Sequence, residues 1–292
     1  MKLFTGLEQI VRTDEPLADR TWMRIGGPAQ YFIRPTDPEQ LAEVLRRCRE
    51  NEVPVFILGS GANLLVGDSG VRGAVIQLAG DEFSRARFGP DGLKAGAAAN
   101  LSKLVLRSVR EGLSGMECLT GIPGSVGGAV RMNAGGAFGD TGNIVEAVHL
   151  MDVDGTAYTR PRGDLVFGYR SSNISGRVIL GADLRLVEDD PHRVLSQVKQ
   201  IWIYKKNTQP LGGRNAGCIF KNPRQVSAGA LIDKAGLKGR QVGGARVSDK
   251  HANFIITEAG TSATDVLKLI EIIRETVYKR SEVYLELEIE VW

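Results

Sequence analysis

The sequence predicts a mixed α+β protein that opens with a β-α-β unit. A predicted strand over residues 31–34 leads into a helix through Cys48 with one apolar face, and residues 55–58 form a short apolar strand. A second long helix is predicted over 264–281, where apolar residues recur every three or four positions. The segment 283–291 alternates apolar residues with glutamate, which is typical of a strand with one face in solvent. Because strands and helices follow one another at both ends of the chain, we expect an α+β fold that is rich in α/β units.

Shorter signals predict the remaining elements. Four apolar side chains at helical spacing predict a short amphipathic helix over residues 3–11. The sequence Thr36-Asp-Pro-Glu39 predicts a capping box, with proline near the start of the first long helix. The other predicted elements are a helix capped by Asn100 and closed by Gly112, a hairpin over 145–159, a strand over 178–187, a helix that follows Pro191, a short helix over 228–235 and a strand over 253–257.

Composition limits the classes of protein to consider. The chain has 292 residues, 42% of them hydrophobic and 24% charged, which is enough for two or three domains with a sizeable core. Its net charge is +3 and the basic residues are dispersed, so we expect an anionic small molecule as partner and no nucleic acid. No run approaches the roughly 18 apolar residues of a membrane helix, so we expect no membrane insertion. The opening MKLFTGLEQI lacks the apolar core of a signal peptide.

Cysteine and histidine are sparse. The three cysteines, Cys48, Cys118 and Cys218, are too widely spaced for a disulfide framework or a zinc site, and only three histidines occur. We therefore expect reduced thiols in a cytoplasmic protein and no metal centre. Cys48 falls on the apolar face of the first long helix, which places it in the predicted core.

Glycine is concentrated in the stretch 119–136, within a chain that contains 36 glycines. Glycine weakens packed elements, so this density favours another purpose. Without a Cβ, the backbone turns its N–H groups onto an anion, and Ser125 after Gly124 predicts a helix cap, where phosphate binds well. The alternative is a tight loop with close helix packing, and this stretch alone does not choose between the two.

A second glycine-rich stretch covers residues 57–73. Gly59-Ser-Gly61 offers a Gly-x-Gly, but Leu64 stands where a dinucleotide fingerprint has its third glycine, and no amphipathic helix follows. The Gly-Lys-Ser/Thr of a P-loop is also missing. A strand, a loop rich in N–H groups and another strand still form an anion-binding nest. Two such nests suit a ligand with two phosphates, such as a dinucleotide.

Five short motifs occur along the chain in a fixed order. They are LGSGANLLV at 58–66, TGIPGSVGG at 120–128, GYRS at 168–171, GCIFKNP at 217–223 and LELE at 285–288. Each motif alone is moderately specific, and all five in order are strong evidence of kinship. From about Thr21 to the C-terminus, the chain resembles the UDP-N-acetylenolpyruvoylglucosamine reductases, also called UDP-N-acetylmuramate dehydrogenases.

This resemblance implies a vanillyl-alcohol-oxidase-like FAD-binding fold of two subdomains, followed by a C-terminal α+β substrate domain. We expect the FAD-binding subdomains over 1–80 and 81–190, and the substrate domain over 191–292 with its last strand returning to the active site. The resemblance also implies an oxidoreductase in which NADPH reduces FAD, and FAD passes hydride to the enolpyruvyl group of a UDP-sugar. The product, UDP-N-acetylmuramate, is a peptidoglycan precursor, which connects the reaction to cell-wall growth, cell shape and cell division.

Matching the family motifs residue by residue implies where ligands bind. Substrate binding falls on Tyr169, Lys206 and Asn222, and a lysine is a plausible point charge for an acidic substrate. FAD binding falls on the two glycine-rich loops and a neighbouring pair, namely Gly59, Ser60, Gly61, Ala62, Asn63, Leu64, Thr120, Gly121, Ile122, Pro123, Gly124, Ser125, Gly127, Gly128, Asn133 and Ala134.

Three catalytic roles follow from the same match. Arg170 polarises the substrate carboxylate, Cys218 donates the proton and Glu288 assists the polarisation. The family's commonest proton donor is serine; a thiol has an ordinary pKa of about 8.5, far below that of an alcohol, so cysteine donates at least as readily. Without the resemblance, Arg170 is equally well a structural arginine and Cys218 a small buried hydrophobe. Glu288 is then one of three glutamates on a solvated strand face.

The interval between Tyr169 and Lys206 matches the short form of the family, which lacks an extra loop that closes over the substrate. We expect the closing group to come from a part of the chain that the sequence does not reveal, and we expect a monomer or a weak homo-oligomer.

Two rival functions are an FAD oxidase of the same fold and a flavin-binding protein without catalysis. Many such oxidases tether the flavin to an N-terminal histidine, whereas His149 is the first here. A non-catalytic protein would tolerate loss of the three catalytic groups, and all three are present.

Overall fold

The computed structural model describes residues 3–89, 92–223 and 226–292. The chain divides into two compact units. The first unit comprises the residues up to Thr13 together with Tyr31–Ser60 and Gly73–Tyr204, and the second comprises Asp14–Gln30, Gly61–Arg72 and Lys205–Trp292. Each unit is therefore assembled from segments that are far apart in the sequence. The predicted boundaries near residues 80 and 190 stay predictions.

Helices and strands alternate along most of the described chain. The α-helices are α1 (Pro38–Glu50), α2 (Gly80–Ser84), α3 (Leu101–Arg110), α4 (Val126–Arg131), α5 (Pro191–Thr208), α6 (Ala228–Lys234) and α7 (Ala263–Ser281). The strands are β1 (Val11–Pro16), β2 (Pro28–Ile33), β3 (Val55–Ile57), β4 (Leu64–Leu65), β5 (Val71–Ile76), β6 (Ala86–Gly89), β7 (Gly92–Gly96), β8 (Leu113–Ser114), β9 (Gly135–Gly136), β10 (Gly139–Asp140), β11 (Val145–Met151), β12 (Ala157–Pro161), β13 (Phe167–Gly168), β14 (Ser171–Ser172), β15 (Val178–Leu184), β16 (Val187–Glu188), β17 (Gln241–Val242), β18 (Ala245–Val247), β19 (Ile255–Thr257) and β20 (Glu290–Val291).

Two main sheets organise the first unit. One sheet has the strand order β1-β2-β5-β3, with β3 parallel to β5, and it contains β2 and β3, the two strands of the predicted β-α-β unit. The helix α1 covers it, with Leu41, Val44 and Cys48 in one apolar cluster with Ile33 and Ile76. Complete burial raises the pKa of the Cys48 thiol to about 11, which agrees with its predicted place in the core.

The second sheet of this unit has the order β12-β11-β15-β7-β6, and all its neighbouring pairs are antiparallel. The antiparallel pair of β11 and β12 confirms the predicted hairpin over residues 145–159. Helix α3 begins where predicted, because the side chain of Asn100 accepts a hydrogen bond from the amide of Lys103 at 2.9 Å. Its residues Leu101 and Leu104 join a core cluster with Leu93 of β7.

The second unit pairs α6 and α7 with the antiparallel sheet β17-β18-β19. Ser262 and Asp265 form a capping box at the start of α7, and the carboxylate of Asp68 accepts from the amides of Ala263 and Thr264 at 2.7 and 3.0 Å. Strand β20 is parallel to β4, so the C-terminal end of the chain is paired with a segment from its first quarter.

Three local predictions are wrong. Residues 3–11 form turns and the start of β1, because Phe4, Leu7 and Ile10 pack into a core cluster without a helical backbone. The first helix is capped by Asp37, whose carboxylate accepts from the amide of Gln40 at 2.8 Å, so the predicted Thr36–Glu39 capping box does not form. The segment 283–291 is a regular strand only in β20.

None of the helices in the described chain is long and apolar enough to span a bilayer. The described residues also contain no cluster of three or more histidine, cysteine, aspartate or glutamate side chains arranged to hold a metal ion.

Candidate active site

The two glycine-rich stretches meet inside the first unit. A Cβ placed on Gly59 would lie 2.9 Å from the Oγ of Ser125, and one placed on Gly124 would lie 4.0 Å from the Oγ of Ser60. The loop after β3 and the loop before α4 are therefore neighbours. The close approach at Gly59 leaves little room for a larger residue.

Several amides in these two loops have no hydrogen-bond partner among residues 3–89, 92–223 and 226–292. They belong to Gly59 and Ser60 in the first loop, and to Gly121, Gly124 and Ser125 in the second. Backbone N–H groups grouped in this way favour an anion, since each unpaired donor otherwise costs free energy when water is excluded. The residues present therefore fit the pyrophosphate of a dinucleotide such as FAD.

The N-terminus of helix α4 was predicted to favour phosphate binding, but its first-turn amides are not available to an anion. Ser125 is its N-cap, as predicted, and accepts from the amide of Gly128 at 3.4 Å. The amides of Val126 and Gly127 donate to the carbonyl oxygens of Ala99 and Ala97 at 3.0 and 2.9 Å. Because the first-turn amides are already used within the protein, the amides available to an anion lie in the loop and not on the helix.

The remainder of the first loop belongs to the second unit. Gly61 has a φ of +68°, and a Cβ there would lie 2.0 Å from the carbonyl oxygen of Arg20, so only glycine fits. The side-chain amide of Asn63 donates to the carbonyl oxygen of Glu288 at 3.0 Å. Leu64 is paired with Glu290. Asn63 and Leu64 thus connect the predicted FAD loop with the C-terminal segment that carries Glu288.

Arg170 stands at the tip of the tight hairpin formed by β13 and β14 in the first unit. Its backbone has a φ of +54°, which is uncommon for a residue with a side chain. Its guanidinium lies 3.7 Å from the carboxylate of Asp140 and 5.0 Å from the ring centre of Tyr169. The arginine side chain is 14% exposed, whereas Tyr169 is half exposed. The hairpin therefore holds a mostly buried cation beside an accessible aromatic ring.

Asn133 fixes this hairpin to the end of α4. Its side-chain N–H donates to the carbonyl oxygen of Gly168 at 2.9 Å, and its side-chain oxygen accepts from the amide of Gly142 at 2.8 Å. The residue is 4% exposed. Because both ends of this side chain contact the protein, any contact of Asn133 with FAD would use its backbone. Ala134 is likewise engaged, since its carbonyl oxygen accepts from Thr141.

Cys218 and Glu288 lie in the second unit, on two adjacent segments of backbone. The amide of Glu288 donates to the carbonyl oxygen of Ile219 at 2.8 Å, directly after Cys218. Glu288 is only partly exposed, whereas Glu286 and Glu290 are exposed. The alternating pattern of the sequence could not choose among these three glutamates, and their burial separates Glu288 from the other two.

The predicted substrate-binding residues of the second unit are accessible. Lys206 is exposed near the end of α5, and its carbonyl oxygen accepts a hydrogen bond from the side chain of Lys250. The side-chain oxygen of Asn222 accepts from the amide of Ala228 at 3.0 Å. Neighbouring Lys205 is buried, so the two consecutive lysines face different surroundings.

Sequence reasoning missed two groups that contact predicted site segments. Asp140 is the carboxylate beside Arg170, and no spacing signal connects residues so far apart in the chain. Asn253 is 2% exposed and bonds to the backbone beside Cys218.

A separate cleft of about 560 Å³ lies in the first unit. Its lining includes Glu117, Cys118, Phe138 and Tyr204, and none of the predicted site residues. The cleft is therefore not an argument for the positions assigned to FAD or the substrate.

Two family models match the chain. The "FAD binding domain" model matches residues 29–159, and the "UDP-N-acetylenolpyruvoylglucosamine reductase, C-terminal domain" model matches residues 209–292. The first match covers both glycine-rich loops, and the second covers Cys218 and Glu288.

Whole-chain relatives agree with both matches. The UDP-N-acetylenolpyruvoylglucosamine reductase of Syntrophobacter fumaroxidans is 43% identical over 95% of this chain and 82% of its own length. The enzyme of the same name from Moorella thermoacetica is 41% identical over 100% of this chain and 96% of its own. The crystal structure of the UDP-N-acetylenolpyruvylglucosamine reductase from Thermus caldophilus has a TM-score of 0.84 and 40% identity, and covers 97% of this chain and 98% of that one.

These similarities confirm the predicted α+β fold of the vanillyl-alcohol-oxidase-like FAD-binding type. The whole-chain comparisons cover 95–100% of this chain and 82–98% of the relatives, so they apply to the whole chain and not to one unit. The chain belongs to the UDP-N-acetylenolpyruvoylglucosamine reductase family of FAD-binding oxidoreductases.

Proposed function

We propose that this protein reduces the enolpyruvyl group of UDP-N-acetylglucosamine-enolpyruvate to give UDP-N-acetylmuramate, with NADPH as the reductant and FAD as the bound cofactor. This step supplies a precursor of peptidoglycan. The observation that carries the proposal is the pairing of Cys218 and Glu288 on adjacent backbone segments, joined by the 2.8 Å hydrogen bond from Glu288 to Ile219. Family membership supports the choice of substrate.

Bound FAD would supply the hydride chemistry, taking a hydride from NADPH and passing one to the terminal carbon of the substrate's enol ether. The balance is one hydride and one proton gained by the substrate, while NADPH becomes NADP⁺. Negative charge then develops on the substrate carbon that bears the carboxylate. This charge requires a nearby cation and a proton donor.

Arg170 supplies the cation in this proposal. Its guanidinium presents several N–H donors in a fixed plane, which suits the two oxygens of a substrate carboxylate. The ion pair with Asp140 and the contact with Tyr169 restrict its orientation before the substrate arrives. Such preorganisation stabilises charge in the transition state without a cost of reorientation.

Cys218 supplies the proton, and Glu288 assists polarisation of the substrate. Cys218 is partly exposed, so its thiol is accessible to a ligand. Glu288 is held beside it through Ile219, and its partial burial strengthens any electrostatic interaction with the substrate. Lys206, Asn222 and Tyr169 would bind the UDP-sugar.

FAD would be held by the loop amides of Gly59 and Ser60 together with those of Gly121, Gly124 and Ser125. Their lack of partners in the described chain supports an anionic ligand at these loops. The remaining residues of the two motifs, from Gly61 to Leu64 and from Thr120 to Gly128, would complete the binding site. A monomeric or weakly homo-oligomeric state is part of the same proposal.

The experiment follows the two half-reactions separately by the visible absorbance of the flavin. We expect yellow protein that consumes NADPH at a useful rate only when the enolpyruvyl UDP-sugar is present. Rapid oxygen-dependent NADPH oxidation without the sugar would instead support an oxidase. Bound flavin without any turnover would support a binding protein.

Replacement of the proton donor tests the mechanism directly. Cys218→Ala should leave flavin reduction by NADPH intact and slow flavin reoxidation by the UDP-sugar about 10²- to 10⁴-fold, the usual contribution of a general acid. Cys118→Ala is the matched control, because Cys118 is also a partly exposed cysteine but lies outside the proposed site. Unchanged reoxidation in Cys218→Ala would remove Cys218 from the mechanism.

A further inference from the structure

Asn253 is a buried amide that bonds twice to the backbone of a single residue. Its side-chain N–H donates to the carbonyl oxygen of Phe220 at 2.8 Å, and its side-chain oxygen accepts from the amide of Phe220 at 2.9 Å. The residue is 2% exposed. The side chain thus pairs with Phe220 as a neighbouring β-strand would, and both of its polar ends are satisfied.

The backbone of Asn253 extends this pairing by one residue. Its carbonyl oxygen accepts from the amide of Ile219 at 2.8 Å. On the opposite edge, the carbonyl oxygen of Ile219 accepts from Glu288, and the amide of Lys221 donates to Glu286 at 2.9 Å. The segment from Ile219 to Lys221 is therefore held between Asn253 on one side and the Glu288 segment on the other.

This segment depends on such contacts because it is not part of a regular sheet. Cys218 and Phe220 take part in isolated bridges, to Phe254 and Leu287 respectively, and not in a named strand. Gly217 precedes Cys218 with a φ of +75°, a conformation that glycine adopts without strain but does not enforce. The contacts of the residues that follow Cys218 therefore contribute to the position of its thiol.

We propose that Asn253 is a positioning residue, which sets the register of Cys218 against Glu288 by clamping Phe220 and Ile219. The proposal rests on the catalytic roles given above to Cys218 and Glu288. Asn253 itself touches neither substrate nor cofactor in this account. A displacement of the donor by about 1 Å is enough to slow a well-oriented reaction about 100-fold, so the clamp has a measurable effect.

The experiment uses the complete FAD-loaded enzyme in stopped-flow measurements of both half-reactions. Asn253→Ala should slow flavin reoxidation by the enolpyruvyl UDP-sugar about 10- to 100-fold. Flavin reduction by NADPH, which needs no proton from Cys218, should change less than about twofold. Equal slowing of both half-reactions would indicate a general loss of structure and would overturn the proposal.

A double substitution tests whether Asn253 acts through Cys218. Cys218→Ala combined with Asn253→Ala should reoxidise no more slowly than Cys218→Ala alone, because a misplaced donor and a missing donor have the same consequence. Multiplication of the two single effects would show that Asn253 acts independently of Cys218, which contradicts the proposal. If Cys218→Ala alone has no effect, Cys218 is not the proton donor and the premise of the clamp fails, whatever Asn253 does.

A conservative variant keeps the test informative if Asn253→Ala folds poorly. In Asn253→Asp, the protonated carboxyl group still offers one donor and one acceptor to Phe220, whereas the ionised group offers only acceptors. Reoxidation by this variant, relative to wild type at the same pH, should recover at low pH and fall as the new carboxyl group ionises. A ratio that does not vary with pH would contradict the clamp.

Ser262→Ala is the matched control for stability. It removes the capping box of α7 in the same unit, and Ser262 has no hydrogen bond to the Cys218 segment. We expect a lower Tm in this variant with both half-reactions unchanged. A selective slowing of reoxidation here would show that any weakening of this unit reproduces the Asn253 effect.

Discussion

Three glutamates alternate along the C-terminal segment, and only Glu288 is partly buried. If it polarises the substrate, Glu288→Gln should lower kcat about 10²- to 10³-fold, the usual cost of removing one group that stabilises transition-state charge. Glu286→Gln and Glu290→Gln are the controls, since both side chains are exposed. Glu286 forms a 3.6 Å ion pair with Lys221, and such an exposed pair contributes little. Steady-state kinetics of the three variants decide the assignment, and a similar loss in Glu286→Gln or Glu290→Gln would contradict it.

His251 makes stability depend on pH. Burial lowers the pKa of its ring, which packs against Phe254 with 4.9 Å between ring centres. Its Nδ1 accepts from the amide of Asn253 at 3.3 Å, so the neutral ring carries its proton on Nε2. Below about pH 6.5 the unfolded chain binds a proton that the folded chain does not, so the free energy of unfolding falls as pH decreases.

The effect of His251 is measured by denaturant unfolding between about pH 7.5 and about pH 5.5, one unit on either side of an ordinary histidine pKa. The slope from one proton is at most about 1.4 kcal/mol per pH unit, and partial exposure of the ring makes it smaller. His251→Gln should be less sensitive to acid than wild type over this interval. Parallel pH profiles for the two proteins would show that the acid sensitivity arises elsewhere.

At the scale of elements, Asn133 connects α4, the β13–β14 hairpin and the turn at Gly142. Asn133→Ala leaves the carbonyl oxygen of Gly168 and the amide of Gly142 without a partner, and should reduce the free energy of unfolding by about 2–4 kcal/mol. Asn133 also has a φ of +44°. Asn133→Gly loses the same hydrogen bonds but relieves this conformation, so it should be about 1 kcal/mol more stable than Asn133→Ala.

The comparison of these two variants by denaturant unfolding separates the hydrogen bonds from the backbone conformation. The hairpin carries Arg170, which also has a positive φ, so the element as a whole is held in an unfavourable conformation by its neighbours. If Asn133→Gly is no more stable than Asn133→Ala, the left-handed conformation at this position is not what asparagine supplies.

At the scale of the whole molecule, elements with strong periodicity or a clear cap were predictable. Helix α7, the cap at Asn100 and the β11–β12 hairpin lie close to their predicted positions because each follows from local chemistry. The prediction of a helix over residues 3–11 was wrong, because helical spacing does not distinguish a helix from turns that bury the same side chains. Segment 283–291 has the periodicity of a strand, but in the described chain its bridge pairing is limited to the isolated bridge at Leu287 and to β20.

The candidate site was predictable only where motifs carry it. Gly59 and Ser125 belong to two motifs with similar chemistry, and the sequence predicted that both bind FAD. It could not show that the two residues are neighbours in the fold. Asp140 beside Arg170, and Asn253 beside Phe220, are tertiary contacts between residues 30 or more positions apart. No local pattern encodes such pairs, and a single amide or carboxylate carries no signature of its partner.

Removal of FAD tests whether the two glycine-rich loops bind a nucleotide, because ligand binding raises the stability of the whole protein. A ligand that binds only the folded state at 100 times its Kd stabilises it by about 2.7 kcal/mol, so flavin-free protein should have a lower Tm that FAD restores. FMN lacks the pyrophosphate and adenosine that the loop amides would contact, and should restore much less. Calorimetry of flavin-free protein with each flavin measures both effects.

Glycine variants connect this stabilisation to the loops. Gly59→Ala places a Cβ 2.9 Å from the Oγ of Ser125, so the Ser125 side chain must move at the predicted FAD site, and the Tm gain from FAD should shrink. Gly163→Ala adds a Cβ in the same unit with no atom within 4 Å, and should keep the full gain. Equal stabilisation by FMN and FAD, or an undiminished gain in Gly59→Ala, would mean that the two loops do not hold the pyrophosphate, and the unpaired amides would then need another anion.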